Sequence, residues 1–393
     1  MSGLSRRRFV QACATTAASM LASRPARLWA RAPRRIVVVG GGIMGASIAY
    51  HLSRRGTDVT VLERRAPATG ATANSFAWLN AGSKRPRGYY ELNHLGMAGW
   101  RRLQHEIGAD RLVVQWGGTV QWQEDAAGAE AFRAAVIAQQ RWGYDSRLIE
   151  VEELRRLVPP IVPGSVAAAS YCDEEGTLDP VAATRALLDA AVAHGAKVVH
   201  PAEVSAFDLS GDRVRAVRFG ADVVEVDAVV LAAGVDLPRV AALVGVSVPM
   251  KDSPGLLAHT RPTERLLDRV VVAPRATLKQ LPNRTIVTGV DFGGSPSLDT
   301  SPAMGRTLLD NAARFLPALR GVTLDRVTLG WRVMPADGLP IIGRPPSRPN
   351  VYLVAMHSGI TLSPAVGQLA SIELLDQEDV DLLAPYRVTR FGA

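Results

Sequence analysis

Two cysteines among 393 residues, Cys13 and Cys172, are too few to staple a small scaffold, so the fold has to stand on a buried core. Metal-ligand spacing is missing as well. The seven histidines include no H-x-x-x-H pair, and no His/Cys/Asp/Glu cluster has the pattern of a metal site. There is no G-x-S-x-G elbow and no Cys/His arrangement, which excludes the common covalent hydrolases. Nowhere do 18 apolar residues run uninterrupted, so no internal membrane span is expected. The 35 glycines show no period, which excludes a collagen-like repeat. Apolar residues make up 47% and charged residues 21%, enough apolar surface to exclude disorder over most of the chain. The length suits two or three domain-sized units.

Acidic residues and lysine are absent from residues 1–32, which carry six arginines. The formal charge of +8 is concentrated there. The remaining chain has 39 basic and 37 acidic residues, a net +2, so no nucleic-acid partner is expected. Ser5-Arg6-Arg7-Arg8-Phe9-Val10 resembles a bacterial twin-arginine export signal. A weakly apolar run from Ala12 to Ala22 follows, then Ala30-Arg31-Ala32 in the A-x-A form of a cleavage site. The resemblance implies a periplasmic or secreted protein, the twin-arginine translocase as a partner, and a chain exported folded, often around a cofactor. Cys172 would then be the one cysteine of the mature chain and could form no internal disulfide.

Residues 36–63 read IVVVGGGIMGASIAYHLSRRGTDVTVLE. Ile36 to Val39 has the β-branched composition of a buried parallel strand. Gly40, Gly42 and Gly45 follow as G-x-G-x-x-G, with Ile43 and Met44 between the last two. A helix is expected over Ala46 to Arg55, capped by Gly56, and a second strand over Val59 to Leu62. Gly40 permits the tight turn, Gly42 a close approach to pyrophosphate, and Gly45 close packing of helix on strand. The helix N-terminus offers free N–H groups to phosphate, and Glu63 lies at the spacing of an acid that binds a ribose diol. These features specify a dinucleotide site without choosing between NAD and FAD. His51 and Asp58 read as surface residues.

The continuation, RRAPATGATANSFAWLNAG, resembles the D-amino-acid oxidase, glycine oxidase and sarcosine oxidase superfamily, whose cofactor is FAD. That resemblance assigns flavin contacts to Arg64, Ala71, Thr72, Asn74, Trp78, Leu79 and Asn80. It resumes at YCDEEGTLDP before an amphipathic helix, at Ala202-Glu203-Val204, and at DAVVLAAGV, where Val204, Ala233 and Gly234 match family contacts. Near the C-terminus it covers GWRVMPADGLPIIGRP, with Gly343, and VYLVAMHSGITLSPAVGQLASIELL. There Gly359, Ile360, Thr361 and Leu362 would face the flavin, and a helix beginning near Ser363 would point its positive end at the flavin N1–C2=O. The cysteine and histidine that carry covalent flavin in two branches have no counterpart here. Non-covalent FAD is expected, with Cys172 a buried, unreactive thiol.

The implied fold is α/β, α+β overall: a Rossmann-type FAD-binding domain with a three-layer parallel sheet, interleaved with a mostly antiparallel substrate domain. Residues 33–98, 159–243 and 325–393 are expected to bind FAD, and 99–158 and 244–324 to form the substrate part. Strands are expected near Val113 to Trp122, Val271 to Ala273, Thr277 to Leu281 and Thr285 to Val290, and a helix from Gly128 to Trp142. In the amino-acid oxidases an arginine in a G-x-R-P-like strand holds the substrate carboxylate, and Gly330-Trp331-Arg332 matches it. Arg332 either fills that role or makes a structural pair with Asp337 or another acid. His357 either orients an amine, hydrogen-bonds the flavin, or is structural. Tyr89 and Tyr90 either line the pocket or pack, and His259 and Lys279 default to solvated faces. The implied activity is oxidation of the C–N bond of an amino acid or N-substituted glycine-like amine. Hydride goes to flavin N5, the imine hydrolyses, and oxygen or a quinone accepts the electrons. A flavin-binding protein without turnover is the alternative of another class.

Overall fold

A computed structural model describes residues 33–290, 295 and 297–392. The export-signal segment, residues 1–32, lies outside the described residues. The first strand, Arg35–Val39, is central in a six-stranded sheet. The order across it is Ile341–Gly343, Val351–Ala355, Ala228–Leu231, Arg35–Val39, Asp58–Leu62 and Lys197–Val199. All neighbours are parallel except the edge pair, Ile341–Gly343 with Val351–Ala355. Side-chain alternation splits the strand between two cores. Ile36 and Val38 face the helices Ile43–Ser53, Pro180–Ala193 and Gly359–Leu375. Val37 and Val39 face an antiparallel sheet of Val204–Ser210, Arg213–Phe219 and Asp222–Glu225. The result is three layers with the parallel sheet in the middle, the Rossmann-type arrangement.

The second body is an eight-stranded sheet in the order Leu324–Trp331, Pro254–Thr260, Ile286–Gly289, Ala276–Gln280, Val270–Ala273, Thr119–Gln123, Ala168–Cys172, Ser146–Ile149. Every pairing is antiparallel except Val270–Ala273 with Thr119–Gln123. Residues 168–172 and 324–331 belong to this sheet, so the chain crosses into it more widely than the stretches lacking flavin signals suggest. A short sheet of Trp78–Leu79, Gly176–Leu178 and Val114–Gln115 joins the two bodies.

Three expected surface residues are buried. His51 lies on a helix enclosed nearly all round, with its Nδ1 2.8 Å from the Ser47 carbonyl oxygen. Lys279 and His259 sit on strands covered on both faces, so their alternation does not mark a wet side. Lys279 donates to Thr177 Oγ1 at 3.1 Å and the Leu178 carbonyl at 2.9 Å. His259 Nε2 is 3.1 Å from Thr328 Oγ1. Asp58 is exposed, as expected.

The last helix starts at Gly359, a turn earlier than Pro364 suggests. Proline favours the first turn of a helix because it lacks an N–H, and here it sits further in. The Ile360 carbonyl that its missing N–H would have bonded instead accepts Trp100 Nε1 at 2.8 Å and Ser363 Oγ at 3.1 Å. A tertiary donor, Trp100, and a side chain one turn along the same helix, Ser363, thus supply what the proline nitrogen cannot.

Candidate active site

One cavity of about 540 Å³ runs from the glycine turn to the eight-stranded sheet. At the glycine end the backbone is packed too tightly for side chains. Gly40 has φ +113°, and a Cβ there would lie 2.4 Å from the Ala232 carbonyl oxygen. A Cβ on Gly45 would lie 1.9 Å from the Gly40 oxygen, which fits its role as the contact between helix and strand rather than a cavity wall. The helix Ile43–Ser53 opens at Gly42 with no side-chain cap and no acid in its first turn. Thr72 Oγ1 accepts the Ile43 N–H at 3.1 Å. Glu63 accepts Gly41 N–H at 2.8 Å and Arg65 N–H at 3.0 Å, which fixes the carboxylate at the end of the second strand. Arg64 pairs with Asp236 at 2.5 Å across the same cavity wall.

Of the remaining residues singled out from the sequence, Gly42, Met44, Ala71, Asn74, Trp78, Asn80, Val204, Ala233, Gly234, Gly359, Ile360 and Thr361 line this cavity. Chain segments hundreds of residues apart meet there. Thr361 Oγ1 donates to the Trp78 carbonyl at 3.1 Å, and a Cβ on Gly330 would press on Asn74 at 2.5 Å. Leu79 and Leu362 do not reach the cavity, because both are fully buried in the core. Gly343, with φ +123°, sits on the edge strand, where a Cβ would collide with Arg387.

The sheet end is the chemical end. Arg332 follows the strand Leu324–Trp331 and donates to the Pro254 carbonyl at 3.0 Å and Ser253 Oγ at 3.3 Å. Asp337 is bonded instead to Arg390, at 2.7 and 3.0 Å, so the Arg332–Asp337 pair does not form. His357 lines the cavity with its ring near Ser358 Oγ (3.4 Å). Burial, aided by Lys84 and Arg332, pulls its pKa down to about 3, so the ring is neutral at physiological pH. Tyr89 and Tyr90 are buried and pack: Tyr89 donates to the His357 carbonyl at 3.4 Å, and Tyr90 stacks on His94.

Two cavity residues carried no signal that singled them out. Glu175 is buried, accepts Trp78 Nε1 at 2.7 Å and also accepts the Tyr144 hydroxyl. Burial pushes its pKa up to about 7 against those hydrogen bonds. The clue was an acid directly before Gly176 in a run that becomes a strand. Lys84 is the other. Cys172 also lines the wall, and burial pushes its thiol above the ordinary range, away from a reactive thiolate.

The family described as "FAD dependent oxidoreductase" matches residues 35–371. The chain belongs to this family. Among curated relatives, an opine oxidase chain of Agrobacterium tumefaciens is 27% identical, with 91% of this chain and 98% of the relative aligned. The glycine oxidase of Geobacillus kaustophilus is 25% identical over 90% of this chain and 96% of its own length. The crystal structure of glycine oxidase from that organism superposes with a TM-score of 0.83, covering 91% of this chain and 99% of the other at 23% identity. This FAD dependent oxidoreductase has a cleft suited to its cofactor. A helix N-terminus whose N-cap, Gly42, offers no side-chain acceptor, with Thr72 taking the Ile43 N–H, stands where a pyrophosphate needs N–H donors, and Glu63 stands at the diol end. Gly40 and Gly42 clear the approach. At the far end the helix Gly359–Leu375 turns its own uncapped N-terminus, at Ser358, toward the cavity.

Proposed function

We propose that this flavoenzyme oxidises the C–N bond of an amino acid or N-substituted glycine-like amine, with FAD held non-covalently. The observation that carries the reading is Arg332, anchored on Pro254 and Ser253 in the same cavity wall as a neutral His357. A planar guanidinium held by backbone is a suitable fork for a carboxylate. His357 adds no positive charge beside an amine, which has to be deprotonated to react. FAD, when bound, supplies the hydride acceptor for the carbon that bears the nitrogen. The chain itself orients the carboxylate and shuts the site between two bodies, and the Gly359–Leu375 helix end favours negative charge nearby. Relatives that oxidise glycine and opines support this reading. Oxygen is the proposed acceptor; a quinone or redox protein is the second reading.

Anaerobic mixing of the purified yellow protein with D-amino acids, L-amino acids and N-methyl amines tests it. Bleaching of the flavin by at least one class is expected, followed by peroxide formation in air. FAD that no amine reduces would overturn the proposal in favour of a binding protein without turnover.

We further propose that residues 1–32 direct the folded, loaded chain through the twin-arginine translocase to the periplasm or beyond, on the strength of Arg6-Arg7-Arg8-Phe9 and the A-x-A site. Replacing Arg6 and Arg7 by Lys should leave the protein in the cytoplasmic fraction. Export that persists unchanged would refute it.

A further inference from the structure

The helix Ala126–Gln140 packs over one face of the strands Thr119–Gln123, Ala168–Cys172 and Ser146–Ile149, and the cavity extends between helix and strands. Phe132, Ala135, Val136 and Gln139 line it from the helix, at the i, i+3, i+4, i+7 spacing of a single helix face. Pairing sets the floor opposite. Thr277 stands across from Val272, Val272 from Gln121, and Gln121 from Ser170. Cross-strand partners point to the same side, so these side chains form one row over three strand spacings, about 14 Å. Two residues along, on the same face, Cys172 pairs with Thr119 and with Ser146.

The other face of these strands carries Val120, Trp122, Ala169, Val271 and Leu278 in a closed hydrophobic core. Both faces are covered, so burial alone calls for apolar side chains on each. The cavity face departs from that rule at Gln121, Gln139, Ser146 and Ser170, the last three each only 6% exposed. Among the described residues no hydrogen bond joins these four side chains to the protein. Buried amides and hydroxyls without partners cost stability unless a ligand supplies the missing bonds. The arginines nearby, Arg133, Arg141 and Arg147, are exposed and do not line the cavity. Glu175, which borders this part beyond Cys172, is engaged by Trp78 and Tyr144.

Amides and hydroxyls both donate and accept. A carboxylate offers them acceptors only, and neither the helix nor these strands supply it a cation. An alkyl group leaves all four unpaired. A carboxamide answers both needs, and it closes two hydrogen bonds with a glutamine amide while Phe132 and Val136 take its methylene stem. We propose that this compartment binds a carboxamide at the end of the substrate's side chain or nitrogen substituent, with Gln139 and Gln121 as its specificity-determining residues. This rests on the reading of C–N bond oxidation above and adds the chemistry of the substrate's arm.

The test is anaerobic bleaching of the FAD-loaded protein by two matched sets of amines. Glutamine, glutamate and norleucine, in D, L and N-methyl forms, place the arm on carbon. N-(2-carbamoylethyl)glycine, N-(2-carboxyethyl)glycine and N-butylglycine place it on nitrogen. In at least one set the carboxamide should half-saturate reduction at a concentration at least tenfold below both companions. Gln139→Leu should shrink that preference below twofold. The same change should hold or raise the thermal midpoint of the holoenzyme, since it removes a buried polar group that no protein atom satisfies. A lowered midpoint would mark Gln139 as structural and overturn its assignment. If Gln139→Leu does not retain FAD, Gln121→Leu decides in the same assay. Bleaching with no carboxamide preference, or with one that survives the leucine changes, overturns this proposal and leaves C–N oxidation standing. No bleaching by any amine of either set or of the broader panel overturns both.

Discussion

Glu175 is a carboxyl group whose hydrogen-bond donors, Trp78 and Tyr144, favour its anion while burial opposes it, and burial wins by enough to bring its pKa to about 7. Thr119, Lys84, Tyr144 and Cys172 are the polar and titratable groups that face it. Below pH 7 it is neutral; above, it is an anion in the cavity that holds Arg332 and Lys84. A carboxylate ligand should therefore bind the holoenzyme three- to tenfold more weakly at pH 8.5 than at pH 5.5, about what one partly screened charge supplies. Glu175→Gln should remove the part of that dependence centred near pH 7 and leave the part near pH 8 that comes from loss of the Lys84 charge. Flavin spectral titrations across the range check it, and an inflection near 7 that survives the substitution would assign it to another group. Arg332 was legible because its neighbours Gly330 and Trp331 form a pattern. Glu175 and Lys84 were not, since a charged residue on a cavity wall and one on the outer surface look alike in one dimension.

At the scale of elements, the approach of the Arg87–Ile107 helix to Gly359–Leu375 decides how the C-terminal turn meets the cavity. A Cβ on Gly96 would lie 2.2 Å from the Thr361 carbonyl oxygen, too close for any relaxation that leaves the helices in place. Gly96→Ala should push the start of Gly359–Leu375 outward, costing about 1–3 kcal/mol and weakening FAD retention. Thermal unfolding and FAD dissociation measured together check this; a midpoint within a degree of wild type would mean the contact is soft. The same pair shows why boundaries escape a linear reading. The start of the helix at Gly359 depends on Trp100, which arrives from another helix to satisfy Ile360. The strands around the glycine turn and those over 270–290 were legible to within a residue or two, because β-branched runs are local, whereas Ser146–Ile149, Ala168–Cys172, Val204–Ser210, Arg213–Phe219, Asp222–Glu225 and Pro254–Thr260 were not placed from the sequence. Which strands are buried on both faces was not legible either.

Across the whole molecule, burial of neutral histidines sets an acid limit. His51 and His259 both have pKa values lowered to about 4, chiefly by burial, against 6.5 for the free side chain. Between those values the unfolded chain binds protons that the folded chain refuses, so stability rises with pH there and is lost as pH falls from 6.5 toward 4. The loss is at most about 3 kcal/mol for each. Glu175, with its pKa raised to about 7, contributes with the opposite sign over this window, so the decisive comparison is between variants. Thermal midpoints of the holoenzyme from pH 7.5 to 4.5 should fall less steeply in His51→Gln than in wild type, and an identical slope would show that the His51 ring is not held neutral.

The sequence by itself determined the dinucleotide turn, the parallel strands around it and the family, because each depends on residues within a few positions of one another. Glycines that admit a backbone, an uncapped helix start and an acid at the end of the next strand are local requirements. Only the tertiary structure decided which charges share the cavity. Arg332, Lys84, Glu175 and His357 arrive from four separated stretches, and what each can do depends on desolvation and neighbours that exist only once the two sheets close on each other.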